Sequence, residues 1–196
     1  MKLILVLCLV ALALAQVPRP CVSPKQWESR EIRSNYKERF QEFRKISYDE
    51  TNRRIREIEE VIIGTSKNYY DVLYLYNENK NYTLDLKTRK CTVTGVSGPF
   101  RYRGVHPNAQ LDGLFNIGAV GVQGEYAAVQ AFSANDTSGD FYTGIVTYPS
   151  CYPVRNFYYS DKYGISHSDY FDVSVGIIDL NVFIPRPECM MAEHHL

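Results

Sequence analysis

The chain has 196 residues, 45% hydrophobic and 22% charged, which supplies a packed core for one domain and excludes general disorder. Lysine plus arginine and aspartate plus glutamate each number 22, so no overall basic charge or polybasic tail draws the chain to nucleic acid. Sixteen tyrosines beside a single tryptophan fit none of the collagen-like, coiled-coil or low-complexity compositions.

Met1-Lys2 is a short basic start, followed by the apolar run Leu3 to Leu14 and the small residues around Ala15. This reads as a signal peptide over 1–15, because a transmembrane helix needs roughly 20 apolar residues. The mature chain, 16–196, is read as one domain with a short mobile C-terminal tail and no membrane-spanning segment. It keeps Cys21, Cys91, Cys151 and Cys189. Four cysteines in an oxidising compartment form two disulfides, and their spacing leaves all three pairings open. The sequons at Asn81 and Asn135 are candidate glycosylation sites.

Charge is uneven along the chain. Lys25 to Arg56 holds ten bases and six acids, whereas His106 to Leu196 holds three bases and ten acids. Two solvated faces of one domain account for this. A basic rim for anionic headgroups and an acidic half attractive to calcium are the functional alternative.

In Trp27 to Ile63 the spacing of Ile55, Ile58 and Ile62 and the richness in Arg and Glu favour helix, while Val61-Ile62-Ile63 before Gly64 and Lys45 to Tyr48 read as strand. From Tyr69 onward the period is two. Tyr69–Tyr76 and the alternating segment Tyr82–Lys87 flank a polar turn, and further strands are predicted at Thr92–Val96, Phe100–Val105, Leu114–Val122, Tyr126–Phe132, Phe141–Tyr148 and around Val173–Ile177. Many short strands with regular turns indicate an antiparallel sandwich or barrel.

Catalytic signatures are missing from the sequence. Asp136-Thr137-Ser138-Gly139 has the residues of an aspartic-protease loop in the wrong order and without a second copy, and a hairpin turn explains it. Gly118, Gly121 and Gly124 lack the spacing and following helix of a nucleotide loop; close strand packing or bulges are the better account. His106, His167, His194 and His195 form no H-E-x-x-H, and no G-x-S-x-G nucleophile turn occurs. Asp161 to Asp172 has acids at both ends of an EF-hand-sized loop, but Tyr163, Ile165 and Ser166 replace its inner ligands and glycine. No enzymatic activity is expected, and no metal ligands are assigned.

The ordered landmarks Cys21, Trp27-Glu28 with Arg30, Lys45-Ile46-Ser47-Tyr48-Asp49, Tyr70 to Leu86 with Cys91, Cys151-Tyr152-Pro153-Val154, and Gly176 to Phe183 with Pro185 and Cys189 resemble the ependymin family from Cys21 to Cys189. The resemblance implies a mainly β fold: two stacked antiparallel sheets curved into a half-open barrel around an apolar pocket, similar to bacterial lipoprotein carriers. It implies that Trp27 to Ile63 is largely strand, and the pairings Cys21–Cys151 and Cys91–Cys189. Mammalian-type members often carry a further cysteine pair that this chain lacks. The resemblance also implies a secreted glycoprotein, or one of the lysosomal lumen, that forms a homodimer and binds a lipid or other hydrophobic ligand without a required cofactor. Calcium is an optional one. The alternative is a calcium-dependent extracellular matrix or cell-adhesion protein.

Phe100, Tyr102, Leu114, Phe115, Tyr126, Val129, Phe132, Tyr142 and Ile145 are the candidates to line the pocket, since tyrosine offers an apolar ring and a headgroup-bonding hydroxyl. Composition alone would let them fill a solid core. Lys25, Arg30 and Arg33 are candidates to meet an anionic head at the rim.

Overall fold

The computed structural model describes residues 21–100, 102–105, 108–135, 139–162 and 164–193; the signal-peptide reading, His106, the Asp136 turn and the last three residues lie outside them. Among the described residues eleven strands form the fold: β1 (Gln26–Asn35), β2 (Phe40–Asp49), β3 (Arg54–Ile63), β4 (Ser66–Leu75), β5 (Lys80–Asp85), β6 (Cys91–Thr94), β7 (Gln110–Gly118), β8 (Tyr126–Asn135), β9 (Phe141–Thr147), β10 (Pro153–Ser160) and β11 (Gly164–Val175). A short helix, α1 (Pro187–Glu193), follows near the end.

All neighbours pair antiparallel in one sheet of order β6-β5-β4-β3-β2-β1-β11-β10-β9-β8-β7. Two meanders, β1–β6 and β7–β11, are thus zipped together by their first and last strands. The two expected sheets are two halves of one continuous sheet, because β1 offers β11 the edge that β2 leaves free. The outer edges β6 and β7 do not pair with each other, so the sheet is open.

The helical alternative for Trp27 to Ile63 does not hold; the segment is β1, β2 and β3. Its Arg and Glu residues are not the solvated face of a helix. Glu31 lies directly opposite Arg44, and Arg44 opposite Glu59, so the charges that suggest helix are cross-strand partners that turn inward. Strand alternation then puts Trp27, Ile46, Tyr48, Ile55 and Tyr170 on one face, where they form a buried core with Phe100. Farther along that face Phe132, Val146 and Ala109 form a second core beside Cys21–Cys151.

In the expected strand Phe100–Val105, the described residues, 100 and 102–105, are not in a strand. They belong to the connector, residues 95–109, that carries the chain from β6 at one edge to β7 at the other. Its described residues Phe100, Arg103 and Gly104 lie on the first face, against Tyr48, Tyr170 and Tyr142. Side chains beneath it satisfy its polar groups: the Arg103 backbone N–H donates to Tyr48 Oη at 3.1 Å, and the Arg103 guanidinium donates to Glu57 at 3.2 Å and to Tyr170 Oη at 3.4 Å.

The C-terminal segment covers part of the second face. Phe183 and Cys189 pack on Leu73, Leu75, Tyr82 and Leu84, and Arg56 links Asp71 to the carbonyls of Val182 and Ile184. The Cys91–Cys189 disulfide ties α1 to β6. The two bridges span 130 and 98 residues, and loops of that length restrict the unfolded chain by about 4–5 kcal/mol each in the loop-entropy description. Among the described residues, no helix is long and apolar enough to cross a membrane.

Candidate ligand groove

The second face is bare where the C-terminal segment does not reach. There β1 presents Arg30 and Ile32, β2 presents Phe43 and Lys45, and β11 presents Phe171 and Asp172, around a cavity of about 530 Å³. Alternation explains the pairs on β1 and β2. Phe171 and Asp172 are consecutive, and both reach the cavity because the β1–β11 register shifts between Glu28 and Arg30 and Asp172 takes a positive φ of 51°. Bulges of this kind re-aim side chains.

Phe43 and Phe171 keep 39% and 46% of their surface exposed. Arg30 is ion-paired to Asp172. Lys45 has no ion-pair partner among the described residues. The groove thus combines two open aromatic rings and a branched aliphatic with one uncommitted cation, a composition suited to an amphipathic molecule.

Directly behind it, on the first face, lies a buried ionic cluster. Arg44 pairs with Glu31, with Glu57 at 3.0 Å and with Glu42 at 3.3 Å; Arg103 adds a second guanidinium beside Glu57. Burial pushes the Glu31 carboxyl up, but Arg44, Arg103 and Ser168 together outweigh it and hold the group below its ordinary value. For Glu59, burial and then the charges of Glu42 and Glu57 act together and push it up to about 9. Burial likewise raises Glu42. Arg44 and its carboxylates tie β1, β2 and β3 together, and β1 and β2 form the groove floor with β11. The cluster is not a metal centre: no set of three or more His, Cys, Asp or Glu side chains is placed to hold a metal ion among the described residues.

None of the nine residues named from the sequence lines this groove. Phe100 is in the core against Tyr48, with ring centroids 5.7 Å apart. Tyr102 is exposed on the connector. Register puts Leu114, Tyr126, Phe132 and Tyr142 on the first face and Phe115, Val129 and Ile145 on the second, so the strand residues cannot share one pocket. Phe132 and Val129 are buried, whereas Leu114, Phe115 and Tyr126 are open to solvent. Tyr142 Oη donates to Asn156 at 3.3 Å, and Ile145 is half-buried.

Of the rim candidates, Arg30 lines the groove. Arg33 lies on the opposite face near Glu42 at 3.7 Å, and Lys25 precedes β1. Asn135 is exposed at the end of β8, while Asn81 is half-buried within β5. Phe43 and Lys45 were missed because they sit in the stretch whose spacing suggests helix. Two residues apart, they fall on opposite sides of a helix but on the same face of a strand.

Fold and groove together define a disulfide-braced protein built on one open antiparallel sheet. The ependymin family model matches residues 64–189, from the β3–β4 turn to α1, and the chain belongs to the ependymin family. It is 27% identical to mammalian ependymin-related protein 1 of Rattus norvegicus over 179 residues, covering 90% of this chain and 79% of that one. It is 25% identical to ependymin-2 of Carassius auratus over 145 residues, 74% of this chain and 67% of that one. Among solved structures, an uncharacterized conserved protein from Thermus thermophilus superposes with a TM-score of 0.52 at 8% identity, covering 84% of this chain and 86% of that one; the likeness is one of fold alone. Family membership supports a secreted, extracellular protein.

Proposed function

We propose that this protein is a non-enzymatic extracellular carrier that holds a lipid or similar hydrophobic ligand in the groove of Ile32, Phe43, Lys45 and Phe171. The observation that supports this most is the cavity of about 530 Å³ faced by two half-exposed phenyl rings, within the size range of small-molecule sites, about 300–1,000 Å³. Burial provides the affinity: each methylene removed from water contributes about 0.8 kcal/mol, so an acyl segment of eight carbons gains about 6 kcal/mol before ordering costs. Lys45, and Arg30 if Asp172 yields, stand where an anionic head would rest.

Titration with a fluorescent fatty acid tests the reading. Wild-type protein binds it at micromolar concentration, and Phe171→Ser weakens binding about tenfold while leaving the melting temperature nearly unchanged, since Phe171 is half-exposed. No uptake by the wild type, or equal affinity in the variant, overturns it.

A further inference from the structure

Strand register fixes what surrounds the groove on the second face. In one row across the strands Phe171, Arg30, Lys45 and Ile58 are successive partners on β11, β1, β2 and β3, and Asp71 on β4 follows. In the next row Asp169, Ile32, Phe43 and Glu60 are partners on the same four strands. Polar residues lie beyond both rows: His167, Ser34 and Gln41 on one side, Glu28, Ser47 and Arg56 on the other.

The apolar floor is therefore small. Ile32 and Phe43 form its middle, Phe171 and Ile58 its ends. Three strand spacings of about 4.8 Å set those ends about 14 Å apart, the length of about ten extended carbons. The floor also stops at charges that are already paired. Past Ile32 stands Asp169, held by Arg155 at 2.6 Å; past Phe43 stands Glu60, held by Lys67 at 2.8 Å; past Ile58 stands Asp71, held by Arg56 and Arg186. A longer chain would have to cover one of these ion pairs, and taking charges out of water without a new partner is unfavourable.

Charge on the floor is unbalanced. Arg30 and Lys45 stand directly opposite each other across β1 and β2, a placement that costs stability when the charges are alike. Asp172 answers Arg30, so two cations and one carboxylate leave one positive charge. The nearest further acid is engaged: Glu28 accepts from Ser47 Oγ at 2.7 Å and from the Ile178 N–H at 3.3 Å. Glu31 and Arg44 also border the cavity, but alternation turns their side chains to the first face, where they pair with each other.

We infer that the groove selects a single-chain amphiphile whose head carries one negative charge and lies between Arg30 and Lys45, and whose tail is no longer than about ten carbons, the reach of the apolar floor. Such selectivity rests on the carrier reading of the same groove and narrows its ligand class, excluding diacyl lipids and neutral alcohols.

Calorimetric titration of the full protein with hexanoate, octanoate, decanoate, dodecanoate and hexadecanoate, each below its micelle-forming concentration, tests this beside decanol. Expected is an affinity that rises at least about twofold per added methylene as far as decanoate and then levels off, with decanol at least tenfold weaker than decanoate. Lys45 is exposed and has no ion-pair partner among the described residues, so Lys45→Gln should melt like the wild type and lose the preference for the acid over the alcohol. A rise that continues unchanged to hexadecanoate, decanol bound as tightly as decanoate, or an intact preference in Lys45→Gln overturns the inference and leaves the carrier reading standing. Failure of every acid to bind overturns both.

Discussion

Replacing Arg44 by methionine removes the one cation shared by Glu31, Glu57 and Glu42. The Arg44 side chain is 6% exposed and those of the three carboxylates 0%, 5% and 6%, so water cannot take over the lost contacts. A pair about 3 Å apart attracts with about 5 kcal/mol at an effective dielectric of 20, and desolvation of the charges offsets most of the sum. The net loss for breaking such a buried cluster is about 3–5 kcal/mol, a fall in melting temperature of about 10 °C for a chain of this size.

The sign with pH follows from the carboxylates. In the wild type Glu31 is held below its ordinary value, so its stabilisation is present above the unfolded pKa of 4.5 and is lost as the pH falls through the folded value. Without Arg44, only Arg103 and Ser168 still oppose burial, and the balance moves toward the protonated form. The destabilisation in Arg44→Met is therefore largest near pH 7.5 and shrinks as the pH falls toward 4.5. Urea unfolding of both proteins, with disulfides intact, at pH 7.5, 6 and 5 measures this. A loss below 1 kcal/mol at pH 7.5, or one that does not change with pH, would refute the electrostatic account of the sheet centre.

Glu59 gives a second pH signature of opposite sense. Its folded value of about 9 stands above the unfolded 4.5, so the folded state binds the extra proton; this stabilisation is complete below pH 4.5 and is lost as the pH rises through about 9. Glu59→Gln should flatten the decline in melting temperature between pH 6 and 9, and an unchanged slope would show that Glu59 is ionised in the fold. Removing the second bridge with Cys91→Ser and Cys189→Ser together lowers stability by about 4 kcal/mol, read by urea unfolding under non-reducing conditions. A loss below 1 kcal/mol would mean that the contacts of Phe183 and Arg56 hold the segment unaided.

The sequence shows which halves of the problem are local. Tyr82 and Leu84 alternate with Thr83 and Asp85, and this period of two is enough to place β5 and its core face. The ordered cysteines and the Gly176-to-Phe183 segment are enough to point to the family. Chain order also carries the polar turn before β5 and the glycines of the β7–β8 turn.

Other features exist only after strands pair. Glu31, Arg44 and Glu57 are separated in the chain by thirteen residues at each step and look like the polar face of a helix until β1, β2 and β3 bring them together. Phe43 and Phe171 meet on one surface because the last strand closes on the first, a contact across nearly the whole chain that no local pattern encodes. The same closure puts β6 and β7 at opposite edges, so the strand-like segment around Arg103 serves in the connection between them and is held by Tyr48, Glu57 and Tyr170. Periodicity reports which side of a strand a residue occupies; the order of strands in the sheet decides which residues share that side, and here that order set both the buried ionic floor and the groove above it.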